Sequence, residues 1–582
     1  MLPAVSFFYS PTHSLTHSLT HALLLYLLQR TTRYNLTYAT TPVSNRSDTS
    51  TVCGRRWLTR CGGYPASHQF CDNEYDGRCR TNLKDTQRRR RRRVAPLERP
   101  AGADGWDFVP DSAETVAVRS AAALRAAQKM AMVSAAFHMT NADVDTGAVL
   151  RPMPPKQESK GRPFKAVVVV FLAGAADSYN LLVPHTCAPV DLHAEYLEAR
   201  TNVAIPKSRL LAVDPGAATG QPCSTFGLHP NLKNVQAMYN AGDALAVANI
   251  GNLVVPLTPD EYKKKSKPRP PGLFAHNVQQ RGMHSLHPQL VSAKGVLGRM
   301  LDALTQRVDA FSSKVFSLTG NIKIVEGSIP PVIVSASSGI PQYAEFNKYK
   351  TTLLKLTNPL SSSLFADTHK DRVASAFNTT QAVGALLANT KLETTFGTDG
   401  FGKQMAQVAK LIKLRKEDGL EMERAAFVTN QGGFDTHTDV GTKLEEIMTL
   451  VDDGLGAFKA EMEKQGLWDS VTLLTVSDFG RTLTSNGQGT DHAWAGHHFM
   501  MGGDLKGGKV HGKYPASLKS THELNIGRGR LLPTTPWEGM WKGVAEWFGV
   551  KPEQMKTVLP NAENFPGLLG KDEMYHNKAT AT

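Results

Sequence analysis

Four stretches of the chain consist of consecutive apolar residues, without the strict alternation of a strand that faces water on one side. They read VVVVFL at 167–172, ALAVANI at 244–250, AAFVTN at 425–430 and VTLLTV at 471–476. Continuous runs of this length are typical of strands that are buried on both faces of a parallel sheet. The pattern therefore predicts a parallel β-sheet as the centre of the fold.

The segment between the last two runs predicts a long amphipathic helix. Its apolar residues recur at steps of three or four positions, which places them on one helical face: Leu444, Ile447, Val451, Leu455, Phe458 and Met462. A strand, a helix and a second strand in this order specify a right-handed parallel crossover. We therefore predict an α/β protein with a mostly parallel sheet.

Polar motifs follow three of the predicted strands. GAADSYN carries Asp177 after the first strand, GGFDTH carries Asp435 and His437 after the third, and SDFGR carries Asp478 after the last. A further motif, TDHAWAGHH, contains His492. Because the carboxyl ends of parallel strands border one ligand crevice, we expect these side chains to converge.

The residue types in these motifs indicate a metal site. Mixed carboxylate and imidazole ligands favour a divalent transition metal such as zinc or manganese, whereas calcium prefers oxygen ligands alone. An aspartate that follows a strand is also a common helix N-cap, but capping explains the carboxylates and not the imidazoles. The sequence therefore predicts a metal-dependent hydrolase site.

The region from about Phe164 to Leu569 resembles the family catalogued as domain of unknown function 1501, which is placed within the alkaline phosphatase and sulfatase superfamily. The resemblance rests on ordered motifs: FLAGAADSYNLLVPH, FGLHPNL, GLFAHNVQQ, GVLGRM, QGGFDTH, SDFGRT, GTDHAWAGHH, GGKVHGKYP, GRGRLLPTTPWEGM and WFGV. It implies a three-layer α/β/α sandwich whose strand ends carry one or two divalent metal ions and a hydroxyl nucleophile that attacks phosphorus or sulfur. The mixed ligands favour zinc or manganese as these ions.

The resemblance also implies roles for individual residues. His276 is the expected acid, base or neighbour of the metal, and Arg481 the group that neutralises a bound oxyanion. His497 and His498 either hold a ligand imidazole or simply pack. The implied metal ligands are Asp177, Asp435, His437, Asp478, Asp491 and His492. Among them, Asp491 is either a further ligand or the partner that orients a ligand.

One position departs from the pattern of the family. The motif GLFAHN has Ala275 before His276, where related sequences are expected to have a serine. If that serine is the nucleophile, this chain uses water activated by metal, uses a nearby hydroxyl such as Ser285 or Thr436, or has lost catalysis. Two functional classes therefore remain open: an ester hydrolase, and a catalytically inactive metal-binding scaffold or assembly protein of the same fold.

The chain before the resemblance has an unusual composition. Residues 1–105 contain a THSL repeat and six consecutive arginines at 88–93, and they predict a disordered basic leader. The alternatives are a targeting signal, although its apolar run at 22–28 is short, and an imperfect gene-model start. We assign 106–160 to a helix at 111–139 and a proline-rich linker, 161–570 to the alkaline phosphatase-like domain, and 571–582 to a tail.

The charge distribution and the cysteines indicate which class of partner the protein binds and in which compartment it acts. The leader holds 16 Lys and Arg against 7 Asp and Glu, whereas the remaining 477 residues hold 50 against 45. The folded body is therefore not expected to bind nucleic acid, and its expected partner is an anionic ester substrate such as one on a polysaccharide. No transmembrane segment is expected. Cys187 and Cys223 either pair in an oxidising compartment or remain free thiols; we favour a disulfide and a secreted or extracytoplasmic protein.

Overall fold

The computed structural model describes residues 158–216, 219–340 and 383–578, together with residues 124, 125, 345, 348, 349, 351, 352, 373 and 380. The predicted leader, most of the helix at 111–139, and part of the linker lie outside the described residues. So does the tail beyond residue 578.

A nine-stranded sheet forms the centre of the described domain. Its strands are β1 (Lys165–Leu172), β5 (Ala244–Gly251), β6 (Ser313–Ser317), β7 (Val332–Ile333), β8 (Arg424–Gln431), β9 (Val471–Ser477), β12 (Gly496–Met501), β13 (Val510–Gly512) and β14 (Thr535–Pro536). They lie in the order β13-β5-β12-β9-β1-β8-β6-β7, and β14 also pairs with β5. The four strands expected from apolar runs are confirmed.

The sheet is mostly parallel, as the sequence predicts. Strand β1 pairs in parallel with β8 on one side and with β9 on the other. Strand β12 is the exception, because it runs antiparallel to both β5 and β9. Since β12 separates β5 from β9, the four predicted strands share one direction although they are not all neighbours.

Helices cover both faces of the sheet. Alternate residues of β1 belong to two separate cores: Val168 and Val170 to one, Val167 and Val169 to the other. The fold is therefore the expected three-layer α/β/α sandwich. Its helices are α1 (Leu192–Arg200), α2 (Lys233–Asn240), α3 (Pro259–Lys264), α4 (His276–Ser285), α5 (Val296–Thr305), α6 (Gly400–Lys413), α7 (Val440–Lys464), α8 (Glu538–Phe548), α9 (Pro552–Val558) and α10 (Lys571–Met574).

The predicted amphipathic helix is α7, and its apolar face is buried as expected. Leu444, Val451 and Phe458 are at most 2% exposed and lie in the same core as helices α2 and α6. Helix α7 links β8 to β9, and each of these strands lies beside β1. The crossover places the loops after β8 and β9 at the same edge of the sheet.

Two small antiparallel sheets complete the described structure. Strands β2 (Leu182–Cys187), β3 (Leu211–Val213) and β4 (Cys223–Leu228) form one of them, in the order β2-β4-β3. The disulfide between Cys187 and Cys223 joins β2 to β4. Strands β10 (Arg481–Ser485) and β11 (Thr490–His492) form the other sheet. These two strands contain the candidate site residues Arg481 and His492.

The described elements between residues 300 and 420 include part of the central sheet and part of the layer that covers it. Strand β6 pairs in parallel with β8 and so extends the central sheet, and helix α6 packs against α7. Their apolar residues are buried against the sheet, so these elements belong to the core. At the C-terminus, Met574 and Tyr575 of the expected tail are also buried in the core.

Candidate metal centre

The candidate site lies where β1, β8 and β9 end. Leu172, the last residue of β1, is in register with Gln431 of β8 and Ser477 of β9, so the three strands end level. The loops that follow carry Asp435 and Asp478, and they meet at this edge as expected. Strand β11 and the start of helix α4 bring in the remaining groups.

Four side chains converge on one point. His492 Nε2 lies 3.1 Å from His276 Nε2, 3.0 Å from His437 Nε2 and 3.1 Å from Asp435 Oδ1. Asp435 Oδ1 is also 3.1 Å from His437 Nε2 and 3.6 Å from His276 Nε2. His276, Asp435 and His492 form a group whose ligand atoms all lie within 4.8 Å of one another.

The other nitrogen of each imidazole is held by an acceptor. His276 Nδ1 lies 2.8 Å from Asp478 Oδ2, His492 Nδ1 lies 2.9 Å from the Phe274 carbonyl, and His437 Nδ1 lies 3.1 Å from Asp491 Oδ1. Acceptors there require Nδ1 to carry the proton. The three Nε2 lone pairs therefore point toward one another and toward a carboxylate oxygen.

This arrangement fits a divalent cation. Lone pairs that face each other repel unless a positive charge lies between them, and histidine ligands of metals usually donate their second N–H to a carboxylate or a carbonyl, as here. Two nitrogens on one tetrahedral zinc, each at roughly 2.0–2.1 Å from the ion, lie about 3.3 Å apart. The observed nitrogen–nitrogen separations of 3.0 Å and 3.1 Å are close to that value.

Arg481 orients the carboxylate of the cluster. Its side chain is completely buried, and it donates a 2.9 Å hydrogen bond to Asp435 Oδ1 and a 3.1 Å bond to the Thr490 carbonyl. Partial burial opposes ionisation of Asp435, but the hydrogen bond and the positive charge of Arg481 outweigh it and lower the Asp435 pKa to about 2. In the structure, Arg481 therefore contacts a candidate ligand, whereas the sequence assigned it to a bound oxyanion.

Asp478 lies beneath the cluster and is almost fully buried. Its Oδ2 accepts from His276 Nδ1 and, at 3.0 Å, from the backbone N–H of Gly174. Its Oδ1 is buried and has no hydrogen-bond partner within the described part of the chain. Burial raises the Asp478 pKa in spite of these hydrogen bonds. The structure thus places the predicted ligand Asp478 next to His276, with one oxygen engaged and one available.

Asp491 lies on the outer side of His437. Its Oδ1 accepts from His437 Nδ1 and from Asn486 Nδ2, both at 3.1 Å, and its Oδ2 is 3.5 Å from Arg528. The hydrogen bond from Asn486, together with His437 and Arg528, lowers the Asp491 pKa. Of the two roles expected for Asp491, its contacts match that of a partner that orients a ligand imidazole.

The structure does not bring Asp177 into the cluster. Its Oδ2 forms a completely buried ion pair with Arg200 at 2.5 Å and accepts from the Thr490 hydroxyl at 3.1 Å. Its Oδ1 has no hydrogen-bond partner in the portion of the chain that the structure describes. Asp177 is five residues past the end of β1, after a turn in which Gly174 and Ala175 have positive φ. This turn directs the side chain toward α1, which carries Arg200.

Sequence reasoning missed the groups that hold His492 from outside. The carbonyl of Phe274 accepts from His492 Nδ1, and Phe274 has a φ of 71°, a left-handed conformation that is unusual for an aromatic residue. Arg530 Nε donates to the His492 carbonyl at 2.9 Å. Backbone acceptors leave no signal in residue identity, so the motif alone did not reveal the first of these contacts.

The two hydroxyl groups considered as replacements for a serine differ in position. Ser285 is the last residue of α4, whereas His276 is the first, so a helix of about 13 Å separates them. Thr436 lies between Asp435 and His437, and its buried hydroxyl has no hydrogen-bond partner among the described residues. Ala275 is the N-cap of α4 and provides no side-chain capping bond.

His497 and His498 occupy the core. The His497 ring stacks on Tyr514, and its Nδ1 accepts from the Asn249 backbone at 3.1 Å. The His498 ring packs against Trp537 at 5.0 Å. Burial lowers the pKa of each imidazole to about 3, so both are neutral. The structure therefore favours packing over ligand binding for these two residues.

Three solved structures are similar to this chain at low identity and low TM-score. The zinc complex of the C-terminal periplasmic domain of EcEptC from Escherichia coli is 9% identical, with 61% of this chain and 77% of that chain covered and a TM-score of 0.26. The lipoteichoic acid synthase LtaP from Listeria monocytogenes is 10% identical, with coverages of 70% and 77% and a TM-score of 0.27. A protein in the alkaline phosphatase superfamily from Vibrio parahaemolyticus is 10% identical, with coverages of 66% and 71% and a TM-score of 0.27.

No curated protein matches this chain. A family model described as "Protein of unknown function (DUF1501)" matches residues 164–525, which is more than half of the chain and includes every residue of the cluster. The chain therefore belongs to the DUF1501 family.

Proposed function

We propose that this protein is a metal-dependent hydrolase of phosphate or sulfate esters. The observation that carries the proposal is the convergence of His276, His437 and His492 Nε2 on Asp435 Oδ1, with each Nδ1 held by an acceptor. The resemblance to the alkaline phosphatase and sulfatase superfamily supplies the reaction class. Packing alone does not account for three oriented imidazoles at the end of a buried sheet.

The residues that would hold the ion are His276, Asp435 and His492, with His437 beside them. Their nitrogen and oxygen atoms favour zinc or manganese, and the unpartnered oxygen of Asp478 offers a further ligand for a second ion. When bound, such an ion supplies Lewis-acid chemistry and makes water or an alcohol more acidic. The acceptors at each Nδ1 orient the three imidazoles, and Arg481 holds the carboxylate of Asp435 in its ionised form.

The nucleophile follows from the hydroxyl groups that the site contains. Ala275 offers none, and Ser285 lies at the far end of α4. Water activated at the centre is therefore the proposed nucleophile, and Thr436 is the remaining side-chain candidate because its hydroxyl is unpartnered next to two cluster residues. Replacement of Thr436 by valine, which keeps the shape of the side chain, distinguishes them: activity is retained if water attacks.

Metal content and turnover together test the proposal. Elemental analysis of the purified protein should find zinc or manganese, and aryl phosphate or aryl sulfate esters should be hydrolysed until a chelator is added. The Asp435→Ala variant should lose both metal and activity. Asp453→Ala, a change at an exposed position of α7, is the matched control and should lose neither. A wild-type protein free of metal after supplementation would refute the proposal.

Ala275 supports a second candidate function, a catalytically inactive metal-binding scaffold or assembly protein. In that case the protein binds metal tightly and turns over no ester. The Ala275→Ser variant separates the alternatives. If hydrolysis appears only in Ala275→Ser, the natural chain is the scaffold; if the wild-type protein already hydrolyses esters, the scaffold is excluded.

We also propose that the protein acts outside the cytoplasm. The disulfide between Cys187 and Cys223 supports this location, because structural disulfides persist mainly in oxidising compartments. Among the described residues, the helices do not include one that is long and apolar enough to span a membrane. Thiol titration of protein isolated under alkylating conditions tests the location, and two free thiols at these cysteines would contradict it.

A further inference from the structure

A dense group of cations lies just before the motif that carries His276. The segment 263–269 reads KKKSKPR, and residues 263–268 are all exposed. Asp260 and Glu261 form ion pairs with Lys264 at 3.6 Å and with Lys267 at 2.8 Å. Five cations and two carboxylates leave this ten-residue stretch, 260–269, with a net charge of +3.

Side-chain contacts hold this segment in place. The Arg269 guanidinium lies 5.1 Å above the ring of Tyr262 and donates to the Tyr262 carbonyl at 3.4 Å. Lys267 Nζ donates to the carbonyl of Pro256 at 3.3 Å. Thr258 and Glu261 form a capping box at the start of α3. The cations are therefore displayed on a folded loop.

The segment adjoins the candidate metal centre. The Tyr262 ring packs against Trp494 at 5.8 Å, and Trp494 is two residues past His492. The Arg530 guanidinium lies 4.1 Å above Phe274, and Arg530 also donates to the His492 carbonyl. Arg528, which is 71% exposed, reaches Asp491. We name these cations the basic rim: Lys263, Lys264, Lys265, Lys267, Arg269, Arg528 and Arg530.

We propose that the basic rim binds an extended, linear polymer that bears sulfate or phosphate ester groups, with one ester of the polymer placed at the metal centre. This inference rests on the proposed function and names its substrate class. The whole body after residue 105, with the rim included, holds 50 basic and 45 acidic residues and is nearly balanced in charge, so the rim is a local feature.

The exposure of the rim favours a polymer over a small ester. An exposed cation contributes only about 0–1 kcal/mol to one ion pair, and salt screens charges that are more than about 8 Å apart under physiological conditions. A polymer with many negative charges contacts several cations at once and releases its condensed counterions, which gives tight and salt-dependent binding. A small monoester reaches only the cations nearest the centre.

The aromatic residues of the rim favour a polysaccharide over a nucleic acid. Single-stranded nucleic acids bind basic grooves in which exposed aromatic rings stack on the bases. Here the half-buried Tyr262 contacts Arg269 and Trp494, and the half-buried Phe274 contacts Arg530, so these neighbours already occupy part of each ring surface. Trp494 itself is 1% exposed. The described rim thus presents exposed lysines, whereas Tyr262 and Phe274 beside it are half-buried and Trp494 is buried.

Lysine footprinting of the full chain tests the inference residue by residue. Dextran sulfate should slow acetylation of Lys263, Lys264 and Lys265 several-fold, as measured by mass spectrometry, whereas neutral dextran should not. Lys403 and Lys413 on α6 are exposed and serve as internal controls whose labelling should not change. Because the measurement resolves single lysines, binding of the polymer to the arginines at 88–93 does not obscure the result.

The outcomes separate this inference from the proposed function. Ester hydrolysis with unchanged labelling of the rim lysines overturns the inference alone, and so does protection by single-stranded DNA but not by dextran sulfate. Protection of the rim without hydrolysis of any ester overturns the proposed function alone. The triple variant Lys263→Gln, Lys264→Gln and Lys265→Gln should keep its metal content and should reduce the salt dependence of dextran sulfate binding, with a log–log slope lower by about 2.

Discussion

Removing the charge of Asp177 distinguishes a structural carboxylate from a metal ligand. In the structure, Asp177 and Arg200 form an ion pair at 2.5 Å in which both side chains are 0% exposed, and the Thr490 hydroxyl adds a bond at 3.1 Å. Arg200 has no other carboxylate partner among the described residues. The Asp177→Asn variant therefore leaves a guanidinium buried without a counter-charge.

The magnitude follows from this burial. Removal of one partner from a buried ion pair typically costs about 3–5 kcal/mol, because the remaining charge stays desolvated. Replacement of both partners by apolar residues of similar size is often close to neutral. We therefore expect Asp177→Asn to lower the free energy of unfolding by about 3–5 kcal/mol and the double variant Asp177→Leu, Arg200→Met to recover much of that loss.

Denaturant unfolding followed by tryptophan fluorescence measures the stability, and elemental analysis of the folded fraction measures the metal. We expect a large loss of stability with metal content per folded molecule unchanged. Asp435→Asn is the matched comparison, because it should lose metal with a smaller change in the stability of the metal-free protein. If Asp177→Asn loses metal while its metal-free form is as stable as the metal-free wild type, Asp177 is a ligand and our reasoning from the ion pair is refuted.

Three further predictions concern other parts of the structure. Arg481→Met should weaken metal affinity by about 10- to 100-fold, since Asp435 loses its buried partner; competition with a chromophoric chelator measures this, and an unchanged affinity would contradict it. Burial opposes ionisation of Glu423, but hydrogen bonds from Arg162 and from backbone N–H groups outweigh it and lower the Glu423 pKa to about 2. This carboxylate should therefore contribute about 3 kcal/mol of stability at neutral pH, complete above its unfolded pKa and lost as the pH falls from about 5 to 2, and Glu423→Gln should flatten that part of the unfolding curve against pH. Reduction of the disulfide between Cys187 and Cys223, which closes a loop of 36 residues, should cost about 3–4 kcal/mol, measured as a lower denaturation midpoint in dithiothreitol; the midpoint of the Cys187→Ser, Cys223→Ser variant should not respond to the reductant.

The sequence by itself determined the layers of the fold and the edge at which the site forms. Continuous apolar runs such as the one at 167–172 are typical of strands that are covered on both faces, and the steps of three and four in α7 define one buried helical face. Both signals are local, because they depend on the periodicity of side chains along one element. The positions of Asp435 and Asp478 after parallel strands followed from the same periodicity and from the common direction of those strands.

Only the tertiary structure decided what each polar side chain does at that edge. Asp177 and Asp478 both follow apolar strands, yet the first pairs with Arg200 and the second with His276, 202 residues earlier in the chain. The backbone carbonyl that orients His492 and the antiparallel placement of β12 likewise depend on contacts between distant segments. Residue identity determines the chemistry of a side chain. A partner about 3 Å away determines which of its atoms form hydrogen bonds or ion pairs. Such partners come together only in the folded chain.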